Sequence, residues 1–98
     1  MGSKQLRAEA SDYFEALAKV REELERQGLR PVCYGASRNV FPSGMARDMG
    51  AGLNAYKMTL GQPALTKDLV GIFDSGPDVD PVSVEEQERF HRGWLDSL

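Results

Sequence analysis

The chain has 98 residues, 41% of them hydrophobic and 28% charged, and a formal net charge of −3. That size fits one domain with its own core, and the composition excludes collagen-like, wholly disordered and disulfide-stapled classes. No apolar run reaches the ~18 residues of a membrane span, and the acidic balance argues against a nucleic-acid binder, whose phosphate contacts need a basic face.

Met1, Gly2 and Ser3 read as a cloning remnant, and no signal-peptide pattern follows, so residues 4–98 are taken as a single α+β domain. The spacing of Leu6, Ala10, Tyr13, Leu17, Val20 and Leu24 predicts a helix over 4–27 with one apolar stripe, widened by Phe14. Glu15 with Lys19, and Glu22 with Arg26, are favourable i,i+4 pairs on its wet side. Gly28 supplies the stop and Pro31 prevents continuation. The stripe is long enough for a helix-pair seam, but packing on the chain's own sheet is the preferred reading.

From 29 to 82 the texture changes, with most of the 10 glycines and all 5 prolines. Val32, Cys33 and Tyr34 read as a short strand ended by Gly35, with Val40 and Phe41 as its returning partner. Residues 43–60 divide into one or two helical turns over 44–49, capped by Ser43, and a strand over 53–60. The alternative is one helix with Met45, Met49, Leu53, Tyr56 and Leu60 as its stripe, at the cost of interior Gly50 and Gly52. The apolar run 69–73 suits a strand closed by a turn over 74–81. Ser83 and Glu86 form a Ser-x-x-Glu capping box that opens a helix over 84–97. Val84, Gln87, His91, Trp94 or Leu95, and Leu98 line one face of it, with Phe90 adjacent. The expected fold is a small antiparallel sheet of three to four short strands packed against an N-terminal and a C-terminal helix.

Charge is distributed unevenly. Residues 29–67 carry Arg30, Arg38, Arg47, Lys57 and Lys67 against Asp48, while 68–98 carry Arg89 and Arg92 against eight acids. Internal complementarity between the basic middle and the acidic tail is the preferred reading.

The loop 35–48 is the most function-like stretch. It joins small residues and hydroxyls to two guanidinium groups, and Ser37, Arg38, Asn39, Ser43 and Arg47 are the candidate ligand-binding residues for a small anion. It matches neither a P-loop nor a dinucleotide fingerprint. The competing reading is a surface loop whose serines cap turns and whose arginines pair with the acidic tail. Cys33, the single cysteine, cannot form an intrachain disulfide, fits a reducing, cytoplasmic setting, and is expected to be a small buried hydrophobe. Together with the single histidine His91 it builds no Cys/His zinc set and no supported nucleophilic pair. Asp74, Asp78 and Asp80 cluster around Gly76 and Pro77 as turn formers rather than in calcium-loop order.

These readings point to a non-catalytic binding or interaction module, with no cofactor and no metal. A small enzyme using Arg38, Arg47 and Asp48, with Tyr34 or His91 as proton donor, is the alternative. A regulatory, antitoxin-like protein whose acidic tail masks a basic partner is a third. Phe90, Trp94 and Leu98 are the candidate interface residues, and self-association as a homodimer is expected because two wide helix stripes exceed what a small sheet can cover.

Overall fold

The structure, a computed structural model, describes residues 12–98. Helix α1 spans Tyr13–Glu25 and opens on Asp12, whose carboxylate accepts the Glu15 amide at 2.7 Å. It closes at Gly28, whose φ of 76° is the left-handed turn that a glycine adopts freely. There the Leu29 amide returns to the Leu24 carbonyl at 3.0 Å and the Gly28 amide to Glu25, which satisfies the last carbonyls of the helix. The part of the expected helix before residue 12, with Leu6 and Ala10, lies outside the described residues.

Strands β1 (Val40–Phe41), β2 (Asn54–Lys57) and β3 (Leu69–Gly71) form an antiparallel sheet in the order β1-β2-β3. Helix α2 (Gly44–Gly50) lies between the first two strands, with Ser43 accepting the Ala46 amide at 3.0 Å. Ala51 at φ 56° and Gly52 at φ 74° end it, so the single-helix alternative for 43–60 does not form. Helix α3 (Val84–Asp96) starts at the expected capping box, with the Glu86 amide on Ser83 Oγ at 3.1 Å and the Ser83 amide on Glu86 Oε1 at 3.2 Å. The architecture is α+β, with helices flanking the small sheet.

Two expectations are corrected. Residues 32–34 form no strand. Tyr34–Ala36 is a 3₁₀ turn whose Tyr34 and Gly35 amides donate to Asp74 and Ile72, and β1 pairs instead with β2, Val40 opposite Lys57 and Phe41 opposite Tyr56. The turn packs closely on its neighbours and needs a glycine there: a Cβ on Gly35 would lie 2.5 Å from Leu17 Cδ2 and 3.0 Å from the Ile72 carbonyl oxygen. The chain turns tightly there instead of running on as a strand. Cys33, just before this turn, is half-buried rather than buried in an apolar strand.

The core is small and has a polar centre. Phe14, Val40, Ala55 and Ile72 form the apolar cluster, with Leu17, Tyr34, Phe41 and Val70 packed on it. The stripe expected on α1 is rotated: Tyr13 is exposed, while Phe14 and Arg21 are the buried positions of that helix. Arg21 is only 1% exposed and donates to the carbonyls of Gly35 (2.9 Å) and Val82 (2.9 Å) and to Gln87 Oε1 (2.7 Å). Gln87, on α3 and equally buried, shares its amide N–H groups among the carbonyls of Gly35, Ser37 and Val40 at 2.8–3.0 Å. Carbonyls of the segment 35–40 are thus reached by two side chains from the flanking helices. Burial pulls the Arg21 pKa below its ordinary value, and the nearby Glu25 carboxylate opposes that shift.

Candidate functional site

The register of the sheet sets Phe41, Tyr56 and Leu69 side by side across its strands. α3 crosses β1, and its His91 ring stacks on Phe41 with centroids 3.9 Å apart and planes 11° from parallel. Trp94, one turn further along, lies 6.0 Å from His91. The far end of α3 is tied to the turn after β2: Trp94 Nε1 donates to the Gln62 carbonyl at 2.8 Å, and the Gly61 amide donates to Ser97 Oγ at 2.7 Å. Pro63 and Ala64 on that turn therefore face α3 across a groove of about 270 Å³, whose lining also includes Phe41, Tyr56, Met58, His91 and Trp94. A second recess, lined in part by Ala46, Met49 and Leu69, continues from it and shares Ser43 and Tyr56.

The candidate residues from the sequence do not all meet. Ser43, from the anion-loop set, lines the groove together with Trp94 and Leu98 from the interface set. Phe90 is half-buried and is not among the lining residues. Arg47 lies behind the groove, its guanidinium carbon 6.0 Å from the Phe41 centroid and 5.4 Å from that of Phe14, with its Nε donating to Asp12 at 2.7 Å. Burial opposes the ionisation of Asp12, but the hydrogen bonds from Arg47 and the Glu15 amide outweigh it and hold the carboxyl below its ordinary range.

Ser37, Arg38 and Asn39 lie elsewhere. Ser37 is fully buried and its Oγ accepts the Asp80 amide at 2.9 Å, while Arg38 pairs with Asp80 at 3.0 Å and reaches Glu86 at 4.0 Å. These contacts match the competing reading of a loop whose arginine pairs with the acidic tail. Arg38 and Arg47 take different partners, Asp80 and Asp12, and neither lines the groove.

Tyr34, Lys57 and Asp78 form an exposed cluster, with Asp78 accepting from the Tyr34 hydroxyl at 2.6 Å and from Lys57 Nζ at 2.7 Å. The two hydrogen bonds lower Asp78 to about 2, and the Asp78 carboxylate in turn raises both the Tyr34 phenol and Lys57. These shifts hold all three groups in their resting protonation states, the opposite of what activates a base or nucleophile. His91 is the exception in direction. Burial lowers its pKa, and the charges of Arg47 and Arg92 lower it further, so the ring is neutral at neutral pH.

Sequence reasoning missed the groove because its walls come from four separate segments. A legible signal was the His91–Trp94 spacing on a predicted helix; the pairing of β1 with β2, which brings Phe41 and Tyr56 beneath it, was not legible. Among the described residues no three His, Cys, Asp or Glu side chains group as metal ligands, and no helix is long and apolar enough to cross a membrane. Comparison with protein-family models and with curated proteins finds no match for this chain.

Proposed function

We propose that the protein is a non-catalytic binding module whose site is the aromatic groove and whose ligand is a small aromatic molecule. The observation that carries this reading is the Phe41–His91–Trp94 stack bordering an apolar groove of about 270 Å³. That volume is just under the ~300–1,000 Å³ typical of small-molecule pockets and suits one ring with a short substituent. Flat ring faces on Trp94, Tyr56 and His91 favour offset or edge-on contact with another ring, worth ~0.5–1.5 kcal/mol beyond area burial. The fixed Trp94 indole, held by its bond to Gln62, keeps the wall in place before the ligand arrives.

Phenylacetamide, a neutral aromatic probe, tests the reading by NMR. Trp94 is the single tryptophan, so its indole N–H resonance is unambiguous. Saturable shifts at Trp94, His91 and Tyr56, abolished in Trp94→Ala and retained in Lys57→Ala, are expected. A spectrum unchanged up to millimolar probe would overturn the proposal.

A second reading is self-association through the same end of the molecule, as a homodimer. Met49 is 82% exposed beside the second recess, and Leu60, Leu65, Leu69 and Leu98 are exposed as well. Apolar surface of this kind is a usual feature of two-fold interfaces.

A further inference from the structure

We infer that the ligand of the groove is a neutral aryl–alkyl amide, with its ring in the aromatic groove, its amide at Ser43 and Tyr56, and an aliphatic tail in the second recess. This rests on the aromatic-ligand reading above and adds what the ring is attached to.

The two recesses share one floor. Asn54, Tyr56 and, just past the strand, Met58 alternate along β2, so their side chains leave the same face of the sheet. Ala55, between the first two, goes to the apolar core on the other face. Met58 lines the groove, Asn54 lines the second recess, and Tyr56 lines both. Four residues of extended chain span ~13 Å, so this floor is longer than a single ring. Phe41 and Leu69 flank Tyr56 in the register, the first in the groove and the second in the recess.

Polar and apolar groups are ordered along the floor. At the groove end lie the rings of Phe41, His91 and Trp94. Ser43 and Tyr56 border both recesses and so mark their junction. Ser43 Oγ accepts the Ala46 amide at 3.0 Å, which leaves its hydroxyl proton to donate. The Tyr56 hydroxyl makes no hydrogen bond within the described residues. Beyond the junction Ala46 and Met49, three residues apart on one face of α2, line with Leu69 a recess of about 340 Å³. No Lys, Arg, Asp or Glu side chain lines either recess. An occupant matching this order is uncharged, apolar at both ends and polar between them. An amide linker fits because its carbonyl oxygen accepts from two hydroxyls at once.

Phenylacetamide and N-butylphenylacetamide carry the same ring and linker and differ in the tail. Calorimetry is expected to show the butyl amide binding ~10-fold tighter, a fraction of what a fully buried four-carbon tail would give. Met49 is 82% exposed, so Met49→Ser leaves the core intact, and in that variant the ratio is expected to fall below ~3-fold. Tyr56→Phe keeps the ring, removes the hydroxyl and is expected to weaken both amides ~3- to 10-fold. Intermolecular NOEs are expected from the butyl protons to the Met49 and Leu69 methyls, and from the phenyl protons to the Trp94 indole. Equal affinity of the two amides, a ratio unchanged in Met49→Ser, or undiminished binding by Tyr56→Phe would overturn this inference and leave the aromatic-groove reading standing. Binding of neither amide would overturn the aromatic-groove reading itself.

Discussion

Arg21 on α1 and Gln87 on α3 meet at 2.7 Å, guanidinium to amide oxygen, and both also donate to the carbonyl of Gly35. One buried loop carbonyl is thus shared by two helices that stand far apart in the chain. Only Arg21 Nε lacks a partner among the buried side-chain atoms of the described residues.

Removing either member strands the other. Arg21→Met leaves Gln87 Oε1 and the Val82 carbonyl without their donor. It relieves the desolvation of a buried cation, so the net cost is expected at ~2–3 kcal/mol. Gln87→Leu deprives the Gly35, Ser37 and Val40 carbonyls of their shared donor and is expected to cost ~3 kcal/mol. Gln87→Glu is expected to destabilise despite the nearby cation, because its carboxylate faces the carbonyls that Nε2 serves. Urea unfolding of the three single variants and the Arg21→Met/Gln87→Leu pair checks this. The double variant is expected to lose less than the sum, by ~1 kcal/mol or more.

Gly35→Ala is expected to destabilise by ~1–3 kcal/mol, since its Cβ would lie 2.5 Å from Leu17 Cδ2 and 3.0 Å from Ile72. Gly93→Ala is the contrasting case. It lies inside α3, where a Cβ meets nothing within 4 Å, and is expected to stabilise by ~0.5–1 kcal/mol. Thermal unfolding of both variants in one buffer checks the opposite signs.

Stability should fall with acid in two stages. His91 has a lowered folded pKa, so its contribution is complete above ~6.5, the ordinary histidine value, and is lost as pH falls from there toward the folded value. Asp12 and Asp78 are also lowered, and their contributions are complete above ~3.9 and lost on further acidification, in the case of Asp78 down to about 2. His91→Phe is expected to flatten the upper stage and Asp78→Asn to blunt the lower one, with chemical unfolding measured across the pH range.

The self-association reading predicts a species of about twice the chain mass in sedimentation at micromolar concentration. Trp94→Ala is expected to weaken it more than Leu69→Ala, because buried aromatic side chains dominate interface energetics. A chain that keeps its single-copy mass on about tenfold concentration would exclude this association.

Where structure is governed by local chemistry, the sequence was readable. Ser43 and Ser83 cap their helices through contacts within three residues, and the Ser83–Glu86 box was visible as such, whereas the Asp12 cap falls inside the helix expected over 4–27 and was not read. The Gly28 stop and the division of 43–60 also follow from short-range preferences. The failures are non-local. Arg21 falls inside the helical pattern as an ordinary charged residue, and only the Gly35 and Val82 carbonyls and Gln87 make its burial tolerable. Val32, Cys33 and Tyr34 read as a strand, but the Tyr34 and Gly35 amides are taken by the Asp74 and Ile72 carbonyls of a distant segment and the chain turns at 34–36. In the candidate loop, Ser43 lines the groove and Arg47 pairs with Asp12 behind it, while Ser37 and Arg38 meet Asp80, where 80–82 returns alongside 36–38.

The Arg21–Gln87 bond spans 66 residues, and this sets an order of assembly. As the chain leaves a ribosome, α1 and the loop at 35–40 emerge long before α3. Until Gln87 arrives, Arg21 can reach the Gly35 carbonyl but lacks its amide-oxygen partner, and the Val40 carbonyl lacks the Gln87 donor, so the polar centre stays incomplete. Completion of the polar centre therefore waits on α3, and contacts of such long sequence separation are slow to form. A nascent chain stalled before residue 84 is expected to remain open to protease, and release of α3 to close it in one cooperative step.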